Sequence, residues 1–179
     1  MRPRGAIRGA IKGVLIALTL ATVDMAGRPS VAAETLPPPA ATPILVVDGH
    51  IATGNGAGIA AFDLALLKSL PVITFKTTTP WSEGENEFKG VRIRDLLDRL
   101  GAQGTSVIAT AVDDYQIAIP MDDLRANDVI VAYAMNGQPL PADNKGPLWI
   151  VYPFSDQPAL QNDLYYARCV WQLNRLTVQ

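Results

Sequence analysis

Apolar and polar positions along the C-terminal third of the chain predict buried strands joined by tight turns. Residues 147–153, Pro-Leu-Trp-Ile-Val-Tyr-Pro, are apolar without alternation, rich in β-forming residues and bounded by proline. That pattern is typical of a strand buried on both faces. Asn136-Gly137 separates the apolar residues 129–135 from 138–140 and predicts a two-residue hairpin turn, because both positions tolerate positive φ.

Upstream residues alternate between short strands and short helices. A helix over 62–70 and another over 91–100 carry apolar residues at helical spacing, and 121–125 forms one helical turn. β-branched runs predict strands at 44–47, 72–75, 106–111 and 115–119, with 88–90 as a short edge strand or turn and the stretch up to 178 as a final strand that includes Cys169. We expect loops at 76–81 and at the acidic residues 82–86.

The N-terminus has the pattern of a secretory signal peptide. Four basic residues precede an apolar run at 13–22, and Val31-Ala-Ala33 supplies the small residues that a signal peptidase recognises. A membrane anchor is the alternative, but the apolar run is shorter than the roughly 20 residues that span a bilayer. We therefore predict residues 1–33 as a signal peptide cleaved after Ala33 and place the protein in the periplasm.

Cleavage would leave an acidic domain. Five of the 15 basic residues and one of the 17 acidic residues lie in 1–33, so residues 34–179 keep ten basic and sixteen acidic side chains. A net charge of −6 argues against nucleic acid as a partner. Residues 34–43 contain Pro37-Pro-Pro39 among alanines and are predicted to form an extended tether before a single domain at 44–179.

Cysteine content limits the chemistry of the chain. Cys169 is the only cysteine, which excludes an intramolecular disulfide and a metal site built from several thiolates. Its apolar neighbours favour a buried, inert thiol. Asp113-Asp114 invites a metal-binding interpretation, but a solvated turn is far commoner because neither histidine nor a third acid accompanies the pair in sequence.

Several separated motifs together resemble a known family. They are Thr77-Thr-Thr-Pro-Trp81, Phe88-Lys-Gly-Val91, Asn136-Gly-Gln-Pro-Leu-Pro141, Lys145-Gly-Pro-Leu-Trp149 and the run from Arg168 to Val178. In this order they resemble the sulfite-oxidase-type molybdopterin-binding domain, and more narrowly its small, single-domain periplasmic relatives. The resemblance covers about residues 43–178 and implies an α+β fold with mixed β-sheets and a few short helices.

The resemblance also implies where a metal would be held. Enzymes of this type ligate molybdenum through one cysteine thiolate, and the matching position here falls near Thr77 or Thr78. A threonine hydroxyl stays protonated at neutral pH and is a hard donor, so it cannot replace a soft thiolate. We therefore predict no metal ligands and no catalytic residues, and His50 is best explained as a lone surface or strand histidine.

A site of pterin size is still implied. Positions that hold a second cation and an arginine in the larger relatives are Trp171 and Trp149 here, which favours a neutral pterin held by stacking and hydrogen bonds. Thr78, Asp114 and Lys145 are candidate polar partners in this pocket. The residues expected to line it are Trp81, Tyr152, Tyr165, Tyr166, Arg168 and Trp171.

Three functional hypotheses follow from the resemblance. The first is a non-catalytic regulator that binds a non-molybdenum pterin and docks on the periplasmic domain of a membrane receptor, a cyclase or phosphodiesterase that controls cyclic di-GMP. The second is a molybdopterin-dependent oxidoreductase of the sulfite oxidase type, or a subunit of one. The third is a receptor-binding module whose ancestral pocket is empty. The sequence favours the first hypothesis.

Overall fold

The computed structural model describes residues 35–179, so the predicted signal peptide lies outside the described residues. Within them no helix is long and apolar enough to cross a bilayer. A single 3₁₀ turn at Pro158–Leu160 accompanies the elements that follow. In chain order these are β1 (Leu45–Gly49), β2 (Ile59–Phe62), α1 (Leu64–Lys68), β3 (Val72–Thr79), β4 (Ser82–Arg92), α2 (Ile93–Arg99), β5 (Ser106–Ala111), β6 (Gln116–Pro120), α3 (Met121–Ala126), β7 (Ile130–Met135), β8 (Gln138–Pro139), β9 (Trp149–Val151), α4 (Asp163–Arg168) and β10 (Leu173–Val178).

Two β-sheets form the framework. The first has the strand order β2-β1-β10-β5-β6, in which β1 and β10 are parallel and the other neighbours antiparallel. The second has the order β3-β4-β7-β8, and β9 pairs with β7 on the edge that β8 also uses. Four short helices complete the described part of the chain. The predicted α+β class with mixed sheets is confirmed.

The hydrophobic core contains side chains from both sheets. Val47 and Leu176 of the first sheet share one buried cluster with Val131 and Ile150 of the second. A smaller cluster that includes Trp149 and Val151 lies against the other face of the second sheet. Strand β9 is therefore buried on both faces, as the unbroken apolar pattern of 147–153 predicts, although only its three middle residues pair as a strand.

Two local predictions are confirmed where short-range chemistry decides the structure. Asn136 and Gly137 both adopt positive φ, at 52° and 76°, in the turn between β7 and β8. Helix α1 begins after Asp63, whose carboxylate accepts a hydrogen bond from the Leu66 amide. It is shorter than predicted because Phe62 completes β2. Likewise α2 begins at Ile93, since the two residues before it end β4.

The predicted loops at 76–81 and 82–86 are wrong. β3 continues to Thr79 and β4 starts at Ser82, so these residues form a hairpin in which Thr77 lies opposite Asn86. Threonine favours strands, and the glutamates of β4 alternate onto its exposed face, which makes the acidic stretch compatible with pairing. Residues 88–90 lie between β3 and β7 and are not an edge strand.

The interpretation of residues before the last strand also needs correction. Helix α4 occupies Asp163–Arg168, and the Asn162 side chain caps it by accepting from the Leu164 amide. Cys169 follows the helix and is not in a strand, but it is buried and free as predicted. The final strand begins only at Leu173. Asn162 caps the helix three residues before Tyr165. This cap outweighs the preference of Tyr165 and Tyr166 for strands.

The segment predicted as a tether lies against the domain. Leu36 is 5 % exposed and belongs to the main core cluster. The amides of Ala40 and Ala41 donate to the Asp63 carboxylate at 2.7 and 2.8 Å. The hydrogen bond from the Leu66 amide, together with those from Ala41 and Ala40, holds the pKa of Asp63 below its ordinary value. Residues 36–41 are therefore anchored by the buried Leu36 side chain and by two backbone hydrogen bonds to Asp63.

Candidate functional site

A cavity of about 280 Å³ opens where the β3–β4 turn, the β5–β6 turn and the residues around α4 meet. Its volume is close to the lower end of the range of about 300–1,000 Å³ found for small-molecule sites. We call it the aromatic pocket. Its lining residues are Trp81, Ala111, Asp113, Tyr115, Tyr166, Ala167, Cys169, Val170 and Trp171.

Three aromatic rings define the shape of the aromatic pocket. The Trp81 ring centroid lies 5.9 Å from that of Tyr166 and 5.5 Å from that of Trp171, and both interplanar angles are 79°. Such edge-to-face packing is favourable because the positive ring edge meets a negative ring face. A planar ligand can therefore stack on exposed faces of rings that already hold one another in place.

Trp171 reaches the pocket because of the unusual backbone that follows it. Gln172 adopts a φ of 47°, a left-handed conformation that is uncommon outside glycine. Two hydrogen bonds hold this conformation. The backbone amide of Gln172 donates to the Lys145 carbonyl at 3.0 Å, and its side-chain amide donates to the Ala142 carbonyl. A backbone conformation of this kind persists only where neighbouring contacts impose it. The contacts of Gln172 thus set the position of the indole.

Lys145 lies near the Trp171 ring without lining the pocket. Its Nζ is 5.6 Å from the Trp171 ring centroid and 5.7 Å from that of Trp149. Trp149 is fully buried and donates from Nε1 to the Cys169 carbonyl. The ammonium group therefore makes cation–π contacts that fix an indole of the pocket wall, in place of the direct polar contact with ligand that we expected.

The β5–β6 turn contributes a carboxylate that the sequence did not single out. Asp113 lines the pocket, and its Oδ1 accepts from the Tyr115 amide at 3.1 Å. Asp114, the predicted partner, has a φ of 66° at the turn and is not a lining residue. The Tyr115 hydroxyl donates to the Ala167 carbonyl at 3.0 Å and ties this turn to α4. Asp113 lies two residues after the end of β5, in the turn to the next strand, and that position was the available signal.

Tyr152 and Arg168 belong to a buried ion-pair network away from the lining of the pocket. Arg168 Nη1 lies 3.0 Å from Asp123 Oδ2, and the two side chains are only 10 % and 8 % exposed. The Tyr152 hydroxyl donates to the same oxygen at 2.7 Å. Burial and this hydrogen bond raise the pKa of the Tyr152 phenol. The Arg168 guanidinium also packs over the Tyr165 ring, 5.1 Å from its centroid.

This network corrects the expected roles of three residues. The guanidinium of Arg168 is paired with Asp123, so it is not available to grip a ligand anion. Tyr152 and Tyr165 pack against each other at 5.6 Å between ring centroids. Arg168 Nε is buried and has no hydrogen-bond partner among the described residues. The three side chains join α3, α4 and the residue that follows β9, which is a structural role.

The position expected for a metal-binding thiolate contains hydrogen-bonded threonine. Thr77 is fully buried; its hydroxyl accepts from the Ser155 amide at 3.0 Å and donates to the Thr78 carbonyl at 3.2 Å. Thr78 is exposed and lines a separate groove beside Tyr166. Neither hydroxyl is a soft donor, so the residues at this position do not fit a thiolate-ligated molybdenum.

Cys169 lines the aromatic pocket but does not present a thiolate. It is 6 % exposed, and burial raises the pKa of its thiol. Its Sγ lies 3.5 Å from the Tyr165 carbonyl oxygen. A neutral, buried thiol is a poor metal ligand. Across residues 35–179 no group of three or more His, Cys, Asp or Glu side chains could hold a metal ion.

Among residues 35–179 no basic side chain lines the aromatic pocket. Its walls are aromatic and apolar, with one carboxylate and one tyrosine hydroxyl at the β5–β6 turn. The phosphate group of a molybdopterin therefore meets no cation among these lining residues, whereas a flat, uncharged heterocycle with hydrogen-bond donors matches both the rings and Asp113.

Comparison with known proteins gives matches to oxidoreductases. The chain is 35% identical over 77 residues to the uncharacterized oxidoreductase YuiH of Bacillus subtilis (strain 168), covering 42% of this chain and 39% of that protein. It is similar in structure to the sulfane dehydrogenase SoxCD from Paracoccus pantotrophus, with a TM-score of 0.57 and 18% identity. That match covers 75% of this chain and 37% of the SoxCD chain, and at this identity it shows the fold.

The chain thus spans about two fifths of the length of these relatives. The sequence model of the oxidoreductase molybdopterin binding domain matches residues 65–156, just over half of the chain. The matched range extends from α1 through both strands of the long hairpin to the residues after β9. The chain therefore belongs to the oxidoreductase molybdopterin-binding domain family.

Proposed function

We propose that this chain binds a pterin in the aromatic pocket and does so without molybdenum. The family suggests a pterin-type ligand. The observation that carries the proposal is the combination of three converging rings, Trp81, Tyr166 and Trp171, with the single carboxylate of Asp113. The amino-pyrimidinone edge of a pterin has two adjacent N–H donors, and a carboxylate accepts from such a pair in a bidentate way.

The proposal that the ligand lacks molybdenum depends on the donor set. The one cysteine of the sequence is buried with a raised pKa, and the expected ligand position has only threonine hydroxyls. A pterin held by rings and a carboxylate needs neither a thiolate nor a phosphate-binding cation. This chemistry supports a binding protein.

The second candidate is an oxidoreductase of the sulfite oxidase type, or a subunit of one. The family and the names of both relatives favour this candidate over a signalling role. It would require the metal to be held without a cysteine of this chain or with a partner subunit. Two parts of the first proposal derive from the sequence alone: export to the periplasm, from the signal-peptide pattern of residues 1–33, and docking on a receptor that controls cyclic di-GMP, from the family resemblance.

Metal and ligand analysis of the purified protein separates the two candidates. The full chain would be isolated from its own host and examined by elemental analysis and by mass spectrometry of the released small molecules. We expect a pterin and no molybdenum. Molybdenum at about one atom per chain would replace the binding-protein proposal with the oxidoreductase. Protein that contains no pterin and does not take one up in titration would contradict both.

Substitution of the pocket carboxylate tests the binding geometry. Asp113→Asn replaces one of the two acceptor oxygens with an NH2 donor that opposes a pterin N–H, so we expect the affinity for 6-methylpterin to fall about tenfold by isothermal titration calorimetry. Asp114→Asn is the matched control, since it changes the same charge one residue away and asparagine tolerates a φ of 66°. Equal loss in both variants would indicate a long-range charge effect and remove Asp113 from the site.

Removal of one ring tests the stacking contribution. Trp171 is 38 % exposed, so Trp171→Ala should cost little folding free energy while weakening 6-methylpterin binding about tenfold. Loss of folding without a measurable change in ligand affinity would return Trp171 to a packing role. Leu164→Ala, which removes an exposed apolar side chain from α4 outside the pocket lining, serves as the control.

A further inference from the structure

A second cavity, of about 540 Å³, lies on the face of the second sheet next to α1 and shares no lining residue with the aromatic pocket. Strands β3, β4, β7 and β8 all contribute to its wall. We call it the lysine groove, because Lys68 and Lys89 line it together with Tyr133. Neither the family nor the site described above assigns a role to these residues.

A bulge directs Tyr133 into the lysine groove. Lys89 pairs with Ala134 and Gly90 pairs with Ala132, so Tyr133 is the extra residue of β7 and has no partner on β4. Bulges of this kind redirect a side chain. Tyr133 and its neighbour Ala134 consequently both line the groove, where ordinary alternation would send them to opposite faces.

The Tyr133 residue is only 6 % exposed, and its hydroxyl has no hydrogen-bond partner in the described part of the chain. The hydroxyl oxygen is not among the buried unpartnered atoms, so it is the accessible end of a largely buried side chain in the groove. Burial also raises the pKa of this phenol, so it is a donor at neutral pH. The Lys68 Nζ lies 5.0 Å from the centroid of the same ring. The hydroxyl is therefore free to donate to a group bound in the groove.

The charges of the groove contrast with those of the domain. Four lysines occur in residues 35–179, and two of them line this cavity. Neither Lys68 nor Lys89 forms an ion pair with another described residue. Glu87 is the one acidic lining residue, so the formal charge of the groove is +1 on an otherwise acidic domain. Leu64, Val72 and Pro139 add apolar surface.

We propose that the lysine groove is a second ligand site, for a small organic carboxylate with an apolar body. The carboxylate would accept from the ammonium groups of Lys68 and Lys89 and from the Tyr133 hydroxyl, and the apolar body would lie against Leu64, Val72 and Pro139. A formal charge of +1 matches a monoanion better than a phosphate dianion. Binding here does not depend on the proposed pterin site.

Benzoate is a suitable probe, with benzamide as its neutral counterpart of nearly equal shape. Titration of the full chain, followed by NMR chemical shifts of β7 and α1, should show saturable binding of benzoate and at least tenfold weaker binding of benzamide. Added salt should weaken benzoate binding. Equal binding of the two probes, or no saturable binding of benzoate, would overturn the proposal.

Three variants assign the contacts. Lys68→Gln and Lys89→Gln should each weaken benzoate binding about tenfold, and Tyr133→Phe, which keeps the ring and removes the hydroxyl, several-fold. Lys76→Gln is the control, because Lys76 is an exposed lysine of β3 that does not line the groove. The affinity of Lys76→Gln for benzoate should stay within twofold of that of the parent protein. A loss in Lys76→Gln equal to that in Lys68→Gln would show general charge attraction and reject the site.

Discussion

Residues 165–171 supply side chains to two regions of opposite character, the aromatic pocket and the buried network around Asp123. Tyr166 and Trp171 turn partly exposed rings toward the pocket, whereas Arg168 is nine-tenths buried in an ion pair. Tyr166 and Arg168 diverge because successive side chains of α4 point in different directions around its axis. Trp171 lies beyond the helix, where the contacts of Gln172 position it. This short stretch therefore separates pocket-lining residues from structural ones, and adjacency in sequence does not indicate a shared role.

Arg168→Ala should give the largest effect, and it should be on stability. Removing the guanidinium leaves the Asp123 carboxylate buried without its cation, which typically costs about 3–5 kcal/mol of unfolding free energy. The affinity of the folded protein for 6-methylpterin should change less than twofold. Chemical denaturation and calorimetry measure the two quantities.

The Asp123→Asn background is the control for that experiment. With the charge of Asp123 already removed, the further loss caused by Arg168→Ala should be much smaller. If Arg168→Ala instead weakened pterin binding at unchanged stability, the arginine would belong to the pocket and the contrast between the two regions would fail.

Cys169 should behave as a core residue although it lines the pocket. Its pKa is raised above an ordinary value of about 9, so its contribution to stability is fully present below pH 9 and is lost as the unfolded chain ionises at higher pH. Between pH 9 and 10 the parent should lose more unfolding free energy than Cys169→Ala, approaching about 1.4 kcal/mol per pH unit. Parallel curves for the two proteins would show that the thiol ionises equally in both states.

Lys145→Gln should give the smallest effect, and that effect should be on ligand binding in the aromatic pocket. The variant loses the cation–π contact with Trp171, worth about 0.5–1 kcal/mol at an exposed site, so pterin affinity should fall two- to fivefold. Tryptophan fluorescence anisotropy should show a more mobile indole. Lys145→Arg, which keeps the cation, should restore both properties. Without such rescue, Lys145 would have no positioning role.

The sequence predicted elements well where the deciding contacts are local. The hairpin at Asn136-Gly137 depends on two residues that tolerate positive φ, and strand β5 matches its predicted range. The hairpin of β3 and β4 was missed because its pairing joins residues whose individual composition suggests loops, such as the glutamates before Phe88. Only the partner strands on both sides make that stretch a strand.

The pocket was harder to predict for the same reason. Trp81, Tyr166 and Trp171 were identified from residue type and resemblance, and they line the pocket. Arg168 could not be assigned correctly, because its partner Asp123 lies 45 residues earlier in the chain and only the fold joins them. Asp113 and Asp114 are adjacent acids, and the left-handed backbone of Asp114 decides which one faces the cavity.

The contacts of residues 36–41 have a practical consequence for shortened proteins. A protein cut to start at Ile44 would lack the leucine that fills a place in the core, and the carboxylate that begins α1 would keep only one of its three backbone donors. The smallest unit that keeps these contacts therefore includes Leu36. A fusion partner joined directly before Ile44 would occupy the surface that residues 36–41 cover.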